Sequence, residues 1–276
     1  MPFSACFLKI RPKSANLFRI MKLIDTHAHV FSPEFDGDSA QMLQRALDAQ
    51  VEQVFMPNID STSIEAMLKI EEEHPWCHAM IGLHPCYVKE NVEQELALVE
   101  SWLERRPFKG IGEAGLDLYW DKTFFAQQQE ALRIQCGWAK KYRIPIILHT
   151  RDAFQETLEI IQEQQDGTLT GIFHCFSGSV AQAQEVINLG FYLGIGGVST
   201  FKNGGLEPVL QEIDLRHLVL ETDAPYLAPV PKRGKRNEPA FLPYVAERIA
   251  QVKGISVEEV AAATNANARH VFQLVV

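Results

Sequence analysis

Met21-Lys22-Leu23-Ile24-Asp25-Thr26-His27-Ala28-His29 is a short apolar run that ends in side chains able to bind metal, and the same construction recurs down the chain. With Lys22 to Asp25 as the first strand, comparable runs are Val51 to Pro57, Cys77 to Leu83, Phe108 to Glu113, Ile144 to His149, Gly171 to Cys175, Phe191 to Gly196 and Leu218 to Thr222. Longer stretches of helical period separate them, which is the pattern of βα units feeding a parallel sheet. Helix starts are marked by Asp38 before Ser39, by the capping-box pattern Thr62-Ser63-Ile64-Glu65, by Asp152 before Ala153 and by Pro239 as a first-turn proline. Eight such units in about 250 residues match a TIM (β/α)8 barrel better than a doubly wound sheet of fewer strands. The expected fold class is therefore α/β, a TIM barrel with extra C-terminal helices at Ser256 to Ala263 and Asn265 to Leu274.

The composition, 276 residues of which 46% are hydrophobic and 22% charged, supports a substantial core and excludes a disordered chain. No apolar run approaches the roughly 18–20 residues that cross a bilayer. Five cysteines without a CxxC pair suit neither a disulfide framework nor a zinc knot, so a reducing, cytoplasmic compartment is expected. A net charge of -9 has the wrong sign for a protein that wraps duplex with its whole surface, so any polyanion must be met locally. Residues 1–20 carry Lys9, Arg11, Lys13 and Arg19 but no acid. They read as a disordered or non-native extension first and an organelle-targeting segment second. Residues 21–276 read as one domain, with no linker, low-complexity tract or repeat to divide them.

Active sites of such barrels are built at the C-terminal ends of the strands. Here those ends carry Asp25 to His29, His84, Glu113, His149, His174 and Asp223. One histidine at a strand end is more often a packed or surface residue than a ligand. Their concurrence on one rim points instead to a metal site, because His27 and His29 can reach a common ion only where strand passes into loop. Imidazole and carboxylate donors without thiolate suit catalytic zinc, manganese, iron or nickel better than calcium. Six ligands exceed the need of one tetrahedral ion and indicate two divalent cations, with Glu113 as the natural bridge.

The chain also resembles a known family. The segments Asp25-Thr26-His27-Ala28-His29, Gly82-Leu83-His84-Pro85, Gly112-Glu113-Ala114-Gly115-Leu116-Asp117, His149-Thr150-Arg151-Asp152, His174-Cys175-Phe176-Ser177-Gly178, Glu221-Thr222-Asp223-Ala224-Pro225 and Arg236-Asn237-Glu238-Pro239 are similar, in order, to those of the TatD metal-dependent deoxyribonucleases. The resemblance runs from about Met21 to the C-terminus. It implies a metal-dependent hydrolase cutting DNA phosphodiesters, often from an end. It implies His27, His29, Glu113 and Asp223 around one ion, and Glu113, His149 and His174 around the other, the ions being zinc, magnesium or manganese. Cys86 departs from the pattern, since many members continue the His-Pro pair with another histidine.

The catalytic roles expected are Asp223 as acceptor of the attacking water's proton, Glu113 as bridge, and His84 at the phosphate or leaving oxygen or behind a ligand. Lys232, Arg233, Lys235 and Arg236 follow the eighth strand and, with Arg151, are expected to clamp DNA ends or single-stranded DNA. Tyr119 and Trp120 can stack on a terminal base or simply pack. No membrane and no obligate protein partner is expected. The alternative is a barrel hydrolase of the same superfamily acting on a small ester, lactone, amide or phosphoester, for which that basic loop has no use. A catalytically silent metal-binding barrel is disfavoured because no expected ligand is missing.

Overall fold

The computed structural model describes residues 22–274, so the reading of residues 1–20 lies outside the described residues. The strands are β1 Leu23–Asp25, β2 Val51–Pro57, β3 Cys77–Met80, β4 Ile111–Asp117, β5 Ile146–Arg151, β6 Gly171–Phe173, β7 Tyr192–Ile195 and β8 Leu218–Leu220. All pair in parallel and in chain order, as an arc of β1 to β3 and an arc of β4 to β8. Two isolated parallel bridges, Ile81 with Ile111 and Ala28 with Ala224, join the arcs at both edges and complete the ring of a TIM barrel.

The seam between the first and last strands is stitched by backbone bonds from Thr26 N to Leu220 O and from Asp223 N to His27 O, each 2.9 Å. Behind them the buried carboxylate of Asp25 accepts Thr222 N at 2.9 Å and Thr222 Oγ1 at 2.6 Å. Both edges of the first ligand pair are thereby held by the ends of the chain's first and eighth βα units.

Each strand is followed by a helix: α1 Ser39–Asp48, α2 Ile64–Glu73, α3 Val92–Arg105, α4 Phe125–Tyr142, α5 Phe154–Gln164, α6 Val180–Asn188, α7 Glu207–Glu212 and α8 Leu242–Lys253. The expected start signals hold less well than the elements. Asp38 precedes α1 but makes no cap bond, because its carboxylate serves Arg45 and Arg236 instead. The capping box at Thr62 is not formed: the Thr62 hydroxyl turns to Asp60, and Ser63 donates to Asn58. Capping boxes do occur at Ser179 with Gln182 and at Ser256 with Glu259. Helix α5 begins one residue later than Asp152 suggested, and Pro239 opens a 3-10 turn, Pro239–Phe241, ahead of α8.

The two C-terminal helices expected after the barrel are one helix, α9 Val257–Val271. Thr264, at the expected break, is buried and donates its hydroxyl to Val260 O at 2.9 Å, so the helix passes through it without an unpaired polar group. This helix plugs the bottom of the barrel. Asn265 donates to Lys22 O, and Asn267 donates to Leu215 O and Leu218 O, backbone carbonyls at the starts of β1 and β8. Ala268, Val271 and Phe272 pack into the lowest layer of interior side chains, Ile24, Phe55, Met80, Ile147, Ile172 and Val219. The rings of Phe272 and Phe55 stack at 3.6 Å. With its lower mouth filled, the barrel offers its interior polar groups to solvent only at the C-terminal rim.

Replacing this plug should weaken the whole fold. Phe272→Ala is expected to lower unfolding free energy by about 3–5 kcal/mol, the cost of a buried aromatic cavity, seen as a lower urea midpoint at unchanged slope. A loss below about 1 kcal/mol would show that α9 rests on the barrel without supporting it.

Candidate metal centre

Glu113 lies inside β4 rather than at its end, since the strand continues to Asp117, and its carboxylate is buried at the centre of a ring of imidazoles. Its two oxygens face different partners. Oε2 lies 3.2 Å from His27 Nε2 and 3.4 Å from His29 Nε2, with Asp223 Oδ1 at 3.7 Å from each of those nitrogens. Oε1 lies 2.7 Å from His149 Nδ1, 3.2 Å from His174 Nε2 and 3.4 Å from His84 Nε2. The candidate ligands read from the strand ends are thus all brought together, and His84 joins them.

The strands deliver these groups by tight local geometry. His27 and His29 flank Ala28, which forms the bridge to Ala224. A Cβ on Gly115 would lie 2.0 Å from His149 O, so only glycine lets β4 approach β5 closely there. A Cβ on Gly194 would lie 2.2 Å from a Glu221 carboxylate oxygen, so that glycine makes the space in which Glu221 is buried.

The far nitrogens of the rings fix what the near ones can do. His29 Nδ1 lies 3.2 Å from Pro57 O, a carbonyl that can only accept, so that nitrogen carries the proton and Nε2 presents a lone pair. His149 Nε2 meets Asp117 Oδ2 at 2.9 Å and His174 Nδ1 meets Glu221 Oε1 at 3.1 Å, which leaves their Glu113-facing nitrogens free to ligate. His84 is reversed. Its Nδ1 accepts the backbone N–H of Cys86 at 3.1 Å, so the neutral ring carries its proton on Nε2. Three rings are therefore oriented as ligands and His84 as a hydrogen-bond donor. Buried His27 Nδ1 has no partner.

The electrostatics fit cations. Burial opposes charge on Glu113, yet the imidazoles of His174, His84 and His27 hold its carboxyl well below the usual range. Burial and the neighbouring His174 keep His27 neutral, with a pKa well below the ordinary imidazole value. Burial works against His174 too, but the carboxylates of Glu113 and Glu221 raise it well above that value. Burial pushes the Asp223 carboxyl up to about 6. The cluster thus gathers the buried Glu113, Asp117 and Glu221 with the partly buried Asp223, and that negative charge demands compensation by protons or by metal. Donor atoms within the group His27/His29/Asp223, and likewise within His27/Glu113/His174, lie within 4.8 Å of one another, a spacing that divalent cations fit; His84 stands as close to Glu113 and His149 but presents a proton there.

A cavity of about 630 Å³ opens above the cluster, and Arg151, Trp120, Tyr87 and Tyr226 are among its lining residues. The basic run after β8 is not. Arg236 is tied to Asp38 and Glu34 O and lies over the Phe35 ring, and Arg233 covers Phe201 and reaches Ala228 O. Lys232 sits 5.2 Å from the Phe241 ring, and Lys235 is exposed. Of the cations read as a substrate clamp, only Arg151 faces the cavity.

Asp117 and Glu221 escaped assignment in the sequence reading although they stand within its motifs. For Asp117 the signal was present: it follows Glu113 by four residues within β4, an even spacing that on a strand returns to one face, whereas Glu221 lies just past the end of β8.

Residues 24–273 match the model of the family described as TatD related DNase. An uncharacterised metal-dependent hydrolase of Bacillus subtilis, YabD, is 39% identical over 253 residues, 91% of this chain and 99% of the relative. The 3'-5' ssDNA/RNA exonuclease TatD of Salmonella typhimurium is 32% identical over 259 residues, 92% of this chain and all of the relative, 100%. The crystal structure of YjjV, a TatD homologue from Escherichia coli, superposes with a TM-score of 0.86 at 31% identity, covering 92% of this chain and 98% of that one.

The dependence of His174 on Glu221 is open to measurement. Glu221→Ala leaves His174 Nδ1 and the Cys175 N–H without their buried acceptor and should cost about 1–3 kcal/mol of stability. Glu221→Gln, which keeps one acceptor oxygen, should lose clearly less; equal losses would remove the hydrogen bonds as the cause.

Proposed function

The chain belongs to the TatD-related DNase family of metal-dependent hydrolases, and from that premise we propose that it is an exonuclease trimming single-stranded DNA ends at a centre of two divalent cations. The observation that carries the reading is the division of Glu113: one oxygen faces His27 and His29, which Asp223 also approaches, and the other faces His149 and His174. Two divalent cations would be held there by His27, His29 and Asp223 and by His149 and His174, with Glu113 serving both sets. When bound, such a pair acidifies a water and neutralises charge on a phosphoryl oxygen. Zinc, magnesium and manganese are the ions considered, and the weight of imidazole donors favours zinc.

The chain's own groups supply the rest. His29, His149 and His174 hold their ligating nitrogens in place through Pro57 O, Asp117 and Glu221. Asp223, which stands beside His27 and His29 at the centre, takes the proton of the attacking water at a carboxylate oxygen. His84, neutral and protonated on Nε2, donates to a phosphoryl or leaving oxygen. Arg151 at the cavity wall meets a backbone phosphate, while Lys232 and Lys235 remain for longer-range attraction. The Salmonella relative's name supports a single-stranded substrate. Free Cys77, Cys86, Cys136 and Cys175 fit a reducing, cytoplasmic setting, and no described helix is long and apolar enough to cross a membrane.

The deciding experiment offers metal-loaded protein end-labelled single strands, duplexes and a panel of lactones and aryl phosphodiesters. Stepwise shortening of the single strands is expected; hydrolysis of lactones alone would transfer the site to small-molecule chemistry.

Glu113→Ala should lose both ions while keeping a native circular dichroism spectrum, since removing the bridge leaves each position short of a ligand. Elemental analysis finding two retained metals would rule the bridge out. Asp223→Asn should keep the ion at His149 and His174 yet turn over roughly 10²–10⁴ times more slowly, because an amide cannot take the proton. Near-parental turnover would exclude Asp223 as base.

A further inference from the structure

The large apolar side chains that remain exposed among the described residues are not scattered. Leu47, Tyr87, Tyr119, Trp120, Tyr226 and Val230 are the set, and Tyr87, Trp120 and Tyr226 line the cavity above the centre while Tyr119 stands beside it. Exposed aromatic surface concentrated at a polar, metal-ready cleft calls for a flat apolar ligand.

One wall is built more firmly than a surface loop. Arg151, the last residue of β5, pairs in register with Asp117, the last of β4, and Leu118 N donates to Arg151 O at 2.9 Å. Asp117 Oδ1 accepts the backbone N–H of Tyr119 at 2.9 Å and of Trp120 at 3.1 Å. The other oxygen of the same carboxylate holds His149. One buried side chain therefore fixes both a ring of the centre and the backbone of the aromatic pair. On that backbone the Arg151 guanidinium lies 3.8 Å over the Tyr119 ring and 5.3 Å from the Trp120 ring, and the two aromatic rings meet edge to face at 4.8 Å. Trp120 stays 68% exposed, more than any other large apolar side chain described, so beyond its contacts with Tyr119 and Arg151 its indole is open to solvent.

We propose that Trp120, braced by Tyr119 and Arg151, is a stacking shelf for one unpaired nucleobase of the nucleotide adjoining the scissile phosphate, with Arg151 meeting that nucleotide's phosphate. The inference rests on the nuclease reading and deepens it by naming what the site recognises. Stacking needs an open base face, which a paired base in a duplex does not offer beyond its terminal pair, and it is tolerant of base identity because every base has a π-face. Arg151 offers a planar cation against Tyr119 while its remaining N–H groups stay free for phosphate oxygens. The shelf would thus select single strands over duplex without selecting sequence.

The test is a cycle between the shelf and the base. Two single-stranded oligonucleotides are compared, one intact and one carrying a stable abasic analogue at the nucleotide next to the terminal scissile bond. Metal-loaded parental enzyme should prefer the intact strand in kcat/KM by roughly tenfold to a hundredfold, the range expected for one base on an aromatic ring. Trp120→Ala should collapse that preference to within about twofold, and Trp120→Phe should restore most of it. Circular dichroism and metal content of the variants exclude a folding or loading defect as the cause. A parental enzyme that cuts single strands with an unchanged preference in Trp120→Ala overturns the shelf alone. A parental enzyme inert on every oligonucleotide but active on lactones or small esters overturns the nuclease reading, and the shelf with it.

Discussion

A single carboxylate, that of Glu113, must be buried without losing its charge, and the upper half of the barrel is arranged around this requirement. Ionised carboxylate in a site closed to water is costly unless partners compensate it. Here imidazoles on both sides hold it ionised, and their own far nitrogens are held by Pro57 O, Asp117 and Glu221. Remove any link and the next group out is left unpaired. The organisation is radial: Glu113 at the centre, rings around it, then carboxylates and carbonyls, then the backbone of the rim loops.

The barrel's two ends answer different physical demands. The lower end is apolar and filled by α9, whose Asn265 and Asn267 satisfy strand-start carbonyls that the plug would otherwise bury unpaired. The upper end holds nearly all the buried charge and opens into the cavity. Because the strands are parallel, every one of them ends at the same rim, and side chains from distant parts of the sequence converge there without any connection between the loops that carry them.

In an acidic protein any meeting with phosphate must be local, and at the cavity the structure presents Arg151 rather than the basic run. The basic run at 232–236 looked like a clamp because it follows β8, but Arg236 neutralises Asp38 and Arg233 lies on Phe201. Both arginines cover apolar rings with their guanidinium planes and join elements far apart in sequence, a structural use of charge. Arg151 faces the cavity instead, and it does so among aromatics. A strand end rather than a loop then presents the cation, which limits how far it can stray from the centre.

The order of strands and helices, and the metal-capable side chains gathered at one rim, were legible in the sequence because both are local signals: an apolar run of strand length, a helical period, and a polar residue where the run stops. Glu113, His149 and His174 could be marked in this way without knowing where any other strand lay. Asp117 could have been marked too, by its even spacing from Glu113 along β4, but Glu221 lies past the end of β8, where strand period no longer applies. What only the tertiary structure decided depends on partners distant in the chain. His84 turns a proton toward Glu113 because Cys86 N–H binds its other nitrogen, whereas His29 turns a lone pair there because Pro57 O does the reverse. Arg236 left the clamp because Asp38, nearly two hundred residues away, was within reach. Thr264 failed to break α9 because its hydroxyl found Val260 O and because Asn265 and Asn267 were fastened beneath the barrel. A residue type states which bonds a side chain is able to form; which of them it does form is settled by competition among neighbours that exist only once the chain has closed into a ring.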